Sequence, residues 1–188
     1  MFSPKGRHIV TGDNVPPANK SHQHSSTLKG SNISGGDMSQ SLANVLVHIV
    51  FSTKNRYPFL IQPNIRKEMH AYLGGACKNL GCPVLAVGGV ADHVHLLCAL
   101  SRTSSIADIV REIKQGSSKW IKTKGVVHSK FAWQGGYGAF SVSQSQVQRV
   151  RTYIERQEDH HRKKAFQDEY RTFLKMHSIE YDERYLWD

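Results

Sequence analysis

The sequence predicts an α+β fold, a mostly antiparallel β-sheet with helices packed on it. Three observations carry that expectation. Runs rich in Val and Ile alternate with amphipathic stretches in the order β-α-β-β-α-β-β-α. Two pairs of strands are joined by tight turns. At 188 residues the chain has room for one domain with a real core, plus some excess.

The excess lies at the front. Residues 1–37 are dominated by Ser, Gly, Asn, Pro and Lys, with no periodic apolar pattern. Such a segment buries too little surface to offset its ordering entropy, so it reads as a disordered leader, and His22 and His24 as part of a polar tail. Met38 opens a different composition, and residues 38–188 are expected to form the domain.

Within the domain, "LANVLVHIVFSTK" (42–54) reads as a strand. In 64–80, Ile65, Met69, Tyr72 and Leu73 recur at helical spacing, and a glycine in "LGC" closes the helix. Residues 83–100 read as two strands turning near Ala91 and Asp92. The stretch 104–124 opens with serine caps and Asp108, then keeps Ile106, Ile109, Val110 and Ile113 on one stripe. Residues 131–143 suggest two short strands around Gly-Gly-Tyr-Gly, and 145–161 and 164–179 suggest two further helices.

The formal charge of +10, from 25 Lys+Arg against 15 Asp+Glu, points to a polyanionic partner, most often nucleic acid. No apolar run approaches the roughly 20 residues that span a bilayer. The start lacks the apolar core of a signal peptide. Cys77, Cys82 and Cys98 form no C-x-x-C pair, which fits reduced thiols and a cytoplasmic location.

"ADHVHLLCAL" (91–100) carries the chemistry. Side chains alternate across a strand, so His93 and His95 share one face while Val94 points to the other. Two adjacent imidazoles make a metal clamp, or two polar residues on a wet sheet face; alternation alone favours the second. On the 145–161 helix, Val147, Val150 and Ile154 form the apolar stripe. Tyr153 and Gln157, four residues apart, stack at its flank. A tyrosine hydroxyl is a poor nucleophile at its usual pKa near 10, but a workable one beside a cation that polarises a phosphate. Two imidazoles and an amide oxygen leave open positions for that phosphate. The oxygen ligand favours Mg²⁺ or Mn²⁺, whereas imidazoles also accept Zn²⁺ or Co²⁺.

His-hydrophobic-His on a strand ("DHVHLL") followed by Tyr-x-x-x-Gln on a helix ("YIERQ") resembles the HUH single-tyrosine transposases. These are the transposases of IS200-type insertion sequences and their relatives associated with repetitive extragenic palindromes. "HIVFSTKNRYPFL", "IKQGSSKW", "FAWQGGYGAFSVS" and "YIERQEDHH" are similar to family blocks in family order, and the resemblance covers about residues 42–180. It implies a ferredoxin-like or RRM-like HUH fold. It also implies a tyrosine nucleophile, Tyr153, that cuts single-stranded DNA through a 5′-phosphotyrosine. A divalent metal, Mg²⁺ or Mn²⁺, would be held by His93, His95 and Gln157. The implied substrates are DNA strands with imperfect palindromes or hairpins, and the implied assembly is a homodimer.

Several residues keep a plain alternative. Trp133 and Tyr137 suit base stacking or packing beside a glycine turn equally well. Lys54, Arg56, Lys114, Lys119 and Arg149 are candidates for phosphate contacts, against the usual solvated face. His160 and His161 sit at a helix end as supporting candidates, and His48 is expected to pack in the sheet. Two functions compete with the transposase. One is a domesticated module that binds DNA or RNA hairpins with its chemistry lost or reduced. The other is a metal-dependent phosphodiesterase using water.

Overall fold

Strand β1 (Leu46–Ser52) is buried along its whole length, its polar His48 and Ser52 included, as a strand is when both sheet faces are covered. The computed structural model describes residues 42–163 and 165–187; the expected leader, 1–37, lies outside them. β1 pairs antiparallel with β3 (His93–Ala99) and β4 (Gly138–Val142), and β2 (Val84–Gly89) completes the order β2-β3-β1-β4. The fold is thus α+β, with an all-antiparallel sheet.

Register sorts the side chains onto two faces. Val50 lies opposite His95 and Ser52 opposite His93, and Phe140 faces His48 from β4. The other face carries Val47, Ile49, Phe51, Val94, Leu96 and Cys98, which form the main core. Helices α1 (Pro63–Asn79) and α2 (Ile106–Lys122) supply this core with Met69, Leu73, Ile109, Val110 and Ile113. Truncating such a residue to Ala costs about 2–5 kcal/mol. All three cysteines are free and buried.

The expected helix boundaries hold for both. Gly81 adopts φ +72° just past α1, where a side chain would be strained. At α2 the Ser105 hydroxyl accepts the Asp108 N–H at 3.1 Å. The turn between β2 and β3 falls at 90–92, where Val90 N–H donates to the His93 carbonyl.

Two expectations need correction. Of the two strands placed in 131–143, only β4 forms; the first is a single bridge between Thr53 and Trp133. Phe131 and Trp133 turn into the main core instead, and the Lys114 ammonium gathers the Gln134 and Gly136 carbonyls at 2.9 and 2.6 Å. A loop held that way has no hairpin ladder to make.

The 145–161 helix is broken. A single 3₁₀ turn at Gln144–Gln146 leads into α3 (Val147–Glu155), and α4 (Gln157–His161) restarts after Arg156, at φ −102° and ψ 22°. The break turns Gln157 inward to 1% exposure, where polar partners on the sheet outweigh helix continuity. Helix α5 (Phe166–Met176) then closes over the second face through Phe166, Tyr170 and Leu174.

Among the described residues no helix is long and apolar enough to cross a membrane.

Candidate active site

The second sheet face carries His48, His93 and His95, which are 2%, 0% and 0% exposed. A solvated strand face is therefore excluded; these imidazoles are interior groups that need partners. His93 Nδ1 lies 2.7 Å from Asp92 Oδ1, and His95 Nδ1 lies 3.0 Å from His48 Nε2. Protons on the two Nδ1 atoms direct both Nε2 lone pairs the same way, the orientation by which a carboxylate or imidazole behind a ligand sets its tautomer.

What they face is assembled by α4 and α5. His161 Nε2 is 2.9 Å from His93 Nε2 and 3.0 Å from Gln157 Oε1, and Gln157 Oε1 is 3.5 Å from His93 Nε2. Glu169 Oε2 lies 3.1, 3.8 and 4.0 Å from the Nε2 atoms of His161, His95 and His93. One donor atom from each of His93, His95, His161 and Glu169 falls within 4.8 Å of every other. His95 Nε2 and Glu169 Oε2 are buried and make no hydrogen bond. Two converging orphaned donors, one on a carboxylate, fit a divalent cation.

Charge is tuned accordingly. Burial, with the Asp92 charge adding to it, pushes Glu169 up to about 8. Burial and then the His177 charge lower His48 to about 4, so it stays neutral and can accept from His95. Burial and then the neighbouring imidazoles hold His95 well below the usual histidine range. Burial works against the charge on Asp92, but its bond to His93 and the charges of His93 and Arg56 keep the carboxyl below its usual range.

Tyr153 completes the group. Its ring lies edge-on to His95 and His160, with centroids 5.8 and 5.3 Å away, and its hydroxyl is buried without a hydrogen-bond partner. A cavity of about 630 Å³ opens beside it, lined by His48, Phe140, Tyr153, His160, Glu169 and Phe173. A second cavity, which shares Arg149, Tyr153 and His160 with the first, is also lined by Arg156 and Lys163.

The structure thus brings together Tyr153, His93, His95 and Gln157, with Arg149 beside them. Others stand elsewhere. Trp133 is a core residue, its Nε1–H donating to Ser117 Oγ at 2.9 Å between Phe51 and Phe131, and so is not placed for base stacking. Lys114 is committed to loop carbonyls. Lys119 is exposed on α2, the helix that packs on the opposite sheet face. Lys54 and Tyr137 are exposed and Arg56 is half-buried near Asp92.

Sequence reasoning missed Glu169 and undervalued His161. A signal existed for Glu169. It falls on the stripe set by Phe166, Tyr170 and Leu174, where a charge without a partner would be costly. For His48 the sheet-face reading was right, but its support of His95 was not visible.

An antiparallel sheet with two histidines on the central strand β3 and a tyrosine on α3, beyond α2 and β4, has the arrangement of an HUH-type transposase. The family model described as IS200-like transposase matches residues 41–157, and the chain belongs to that family. The ISDra2 transposase TnpA of Deinococcus radiodurans is 24% identical over 117 residues, covering 60% of this chain and 83% of the relative. A transposase candidate from D. radiodurans R1 has a crystal structure of similar fold, with TM-score 0.51 and 21% identity over 64% of this chain and 96% of the other. A REP-associated tyrosine transposase bound to a REP hairpin aligns with TM-score 0.50 and 15% identity, covering 66% of this chain and 74% of that one.

Proposed function

We propose that this transposase cleaves and rejoins single-stranded DNA with Tyr153 as nucleophile. The observation that carries the reading is Tyr153, whose hydroxyl is buried and unpartnered, whose ring lies beside a converging set of metal donors, and which lines both cavities. A phosphodiester at that junction would meet the phenolic oxygen on one side. Attack forms the Tyr153 Oη–P bond and breaks the bond to O3′, leaving a 5′-phosphotyrosine and a free 3′-OH. Attack by another 3′-OH reverses the exchange, so phosphodiester bonds are conserved and no ATP is required.

His93, His95 and Gln157 would hold a divalent cation, which supplies polarisation of the phosphate when bound. Asp92 and His48 orient the two imidazoles, and burial by Phe166 and Phe173 excludes water from the group. Arg149, Arg156 and Lys163 give the DNA backbone a basic path to Tyr153. A hairpin or imperfect palindrome is the expected DNA, in keeping with the hairpin bound by the structural relative. A homodimer and a cytoplasmic location belong to the same reading, although one chain already brings Tyr153 beside His95. Among the described residues, no specific observation favours a hairpin-binding module that has lost its chemistry.

The test is a covalent adduct. Purified protein incubated with single-stranded oligonucleotides from its own flanking DNA and Mn²⁺ or Mg²⁺ should yield a phosphotyrosine peptide containing Tyr153. An adduct on another tyrosine, or cleavage without any adduct, would overturn the assignment.

A further inference from the structure

Helices α4 and α5 bring two more donors to the histidine pair than the expected His93–His95–Gln157 set contains. His161 and Glu169 also lie beyond residue 157, where the family match ends. We propose that both are direct ligands of the cation, so that the ion clamps the C-terminal α4–α5 segment onto the sheet. The inference rests on the reading that His93 and His95 hold a divalent metal, and not on the tyrosine chemistry.

The geometry favours ligands over a hydrogen-bonded shell. Ligands about 2.1 Å from a six-coordinate ion stand about 3.0 Å apart when adjacent and about 4.2 Å apart when opposite, a geometry that leaves a position open for the phosphate. The Nε2 atoms of His93 and His161 and Oε2 of Glu169 span 2.9 to 4.0 Å, with His95 Nε2 at 3.8 Å from that oxygen. Neutral imidazoles have one lone pair each, and two Nε2 atoms 2.9 Å apart can share only one proton. With both Nδ1 atoms of the strand pair protonated, both Nε2 lone pairs are left to accept or to ligate. That of His93 can take a proton from His161, but His95 Nε2 is buried with no hydrogen-bond partner, and a cation satisfies it. Glu169 is 3% exposed and its Oε2 lacks a hydrogen bond. A buried carboxylate is retained at such a cost when it is paired or ligates.

Chemical selectivity follows. Three imidazoles and one carboxylate suit Zn²⁺, Mn²⁺ or Co²⁺, whereas Mg²⁺ prefers oxygen donors and keeps its waters. Gln157 Oε1, 3.0 Å from His161 Nε2 and 3.5 Å from His93 Nε2, is then a fifth donor, because an Nε2 that ligates has no proton to give it. Binding is also coupled to the fold, because residues from β3, α4 and α5 must converge before the site exists.

The experiment uses the full chain, stripped by chelation and titrated with MnCl₂ or ZnCl₂ by calorimetry. Electron spin-echo modulation of the bound Mn²⁺ counts coordinated imidazoles. Wild type should show three, H161A two, and Glu169→Gln three. H161A and Glu169→Gln should each lose more than the roughly 10–100-fold expected of a supporting hydrogen-bond partner. Glu169→Gln keeps the side-chain shape, and thermal melts confirm that it folds. Hydrogen exchange should show metal-dependent protection of α5 in wild type and none in Glu169→Gln. Two coordinated imidazoles in wild type, or near-wild-type affinity in both variants while His93→Ala binds nothing, would overturn the clamp and leave the tyrosine mechanism standing. Absence of transition-metal binding by wild type would overturn the clamp as well. A phosphotyrosine adduct measured in parallel keeps the failure of the function reading separate.

Discussion

Gly88 on β2 lies directly beneath the backbone of Ile154 on α3: a Cβ at position 88 would sit 2.2 Å from the Ile154 carbonyl oxygen. That is closer than any real side chain allows. The helix carrying Tyr153 therefore seats on the sheet only because position 88 has no side chain.

Gly88→Ala should lift α3 and move Tyr153, while the core on the opposite sheet face is untouched. The expected outcome is a folded protein with cleavage reduced by about 100-fold, the order of loss expected from an ångström-scale misplacement. Cooperative melting together with adduct yield checks it. Wild-type adduct formation in Gly88→Ala would show that the helix seat is not what positions the tyrosine.

Metal-free protein should lose stability between about pH 4.5 and pH 8 on account of Glu169. Its folded pKa is raised to about 8. Between the two values the folded state therefore binds more protons than the unfolded one, and stability falls as pH rises. His48, lowered to about 4, acts in the opposite sense: its contribution to stability rises with pH from about 4 to 6.5. Glu169→Gln removes the first term alone. In EDTA the variant should melt higher than wild type at pH 8, and the gap should close toward pH 4.5. A gap that is constant with pH would mean Glu169 is not buried as a carboxyl in solution.

The orienting partners carry a third prediction. Asp92→Ala and His48→Phe leave every proposed metal donor in place but release the Nδ1 atoms of His93 and His95. Each should weaken metal binding about 10–100-fold with the sheet intact. Titration calorimetry on folded variants decides, and unchanged affinity in both would remove the tautomer argument.

Salt dependence tests the basic path. Each phosphate neutralised on a single strand contributes about −0.7 to the log–log slope of affinity against salt. Replacing Arg149, Arg156 and Lys163 with Ala should flatten that slope and weaken all sequences alike. Replacing Lys119, on the helix that packs on the far sheet face, should do neither. Equal effects from Lys119→Ala would place the DNA on the wrong face here.

What the sequence made legible depended on local periodicity. The two-residue repeat sufficed to put His93 and His95 on one face and Val94 and Leu96 on the other, because strand alternation is a backbone property. The four-residue spacing brought Tyr153 and Gln157 to one side of their helix, but the break at Arg156 was invisible. It is one residue's dihedral angles, set by what Gln157 and His161 meet on the sheet. The orientation of α5 across the histidines was equally hidden, since nothing local records that Glu169 packs against a strand 74 residues earlier at His95. Lys114 and Trp133 failed as DNA candidates for a related reason. A lysine or an aromatic near a glycine turn looks alike in sequence whether it faces solvent or holds the loop.

Tyr153→Phe separates chemistry from stability most sharply. Sequence reasoning anticipates almost no change in stability, since only a hydroxyl is lost and the ring keeps its packing against the Val147–Ile154 stripe. The structure alters that expectation. The hydroxyl is buried without a hydrogen bond, so removing it relieves a desolvation penalty of about 1–3 kcal/mol rather than a favourable contact. Tyr153→Phe should melt a few degrees above wild type in the absence of DNA. Metal affinity should be unchanged, because the donors of His93, His95, His161 and Glu169 are untouched. Cleavage and the covalent adduct should both vanish, since the phenolic oxygen is the attacking atom. A variant that is stabler, binds metal and DNA normally and forms no adduct would be the expected result. One that melts lower would show that the hydroxyl has a partner in solution, and one that still forms an adduct would move the nucleophile to another tyrosine.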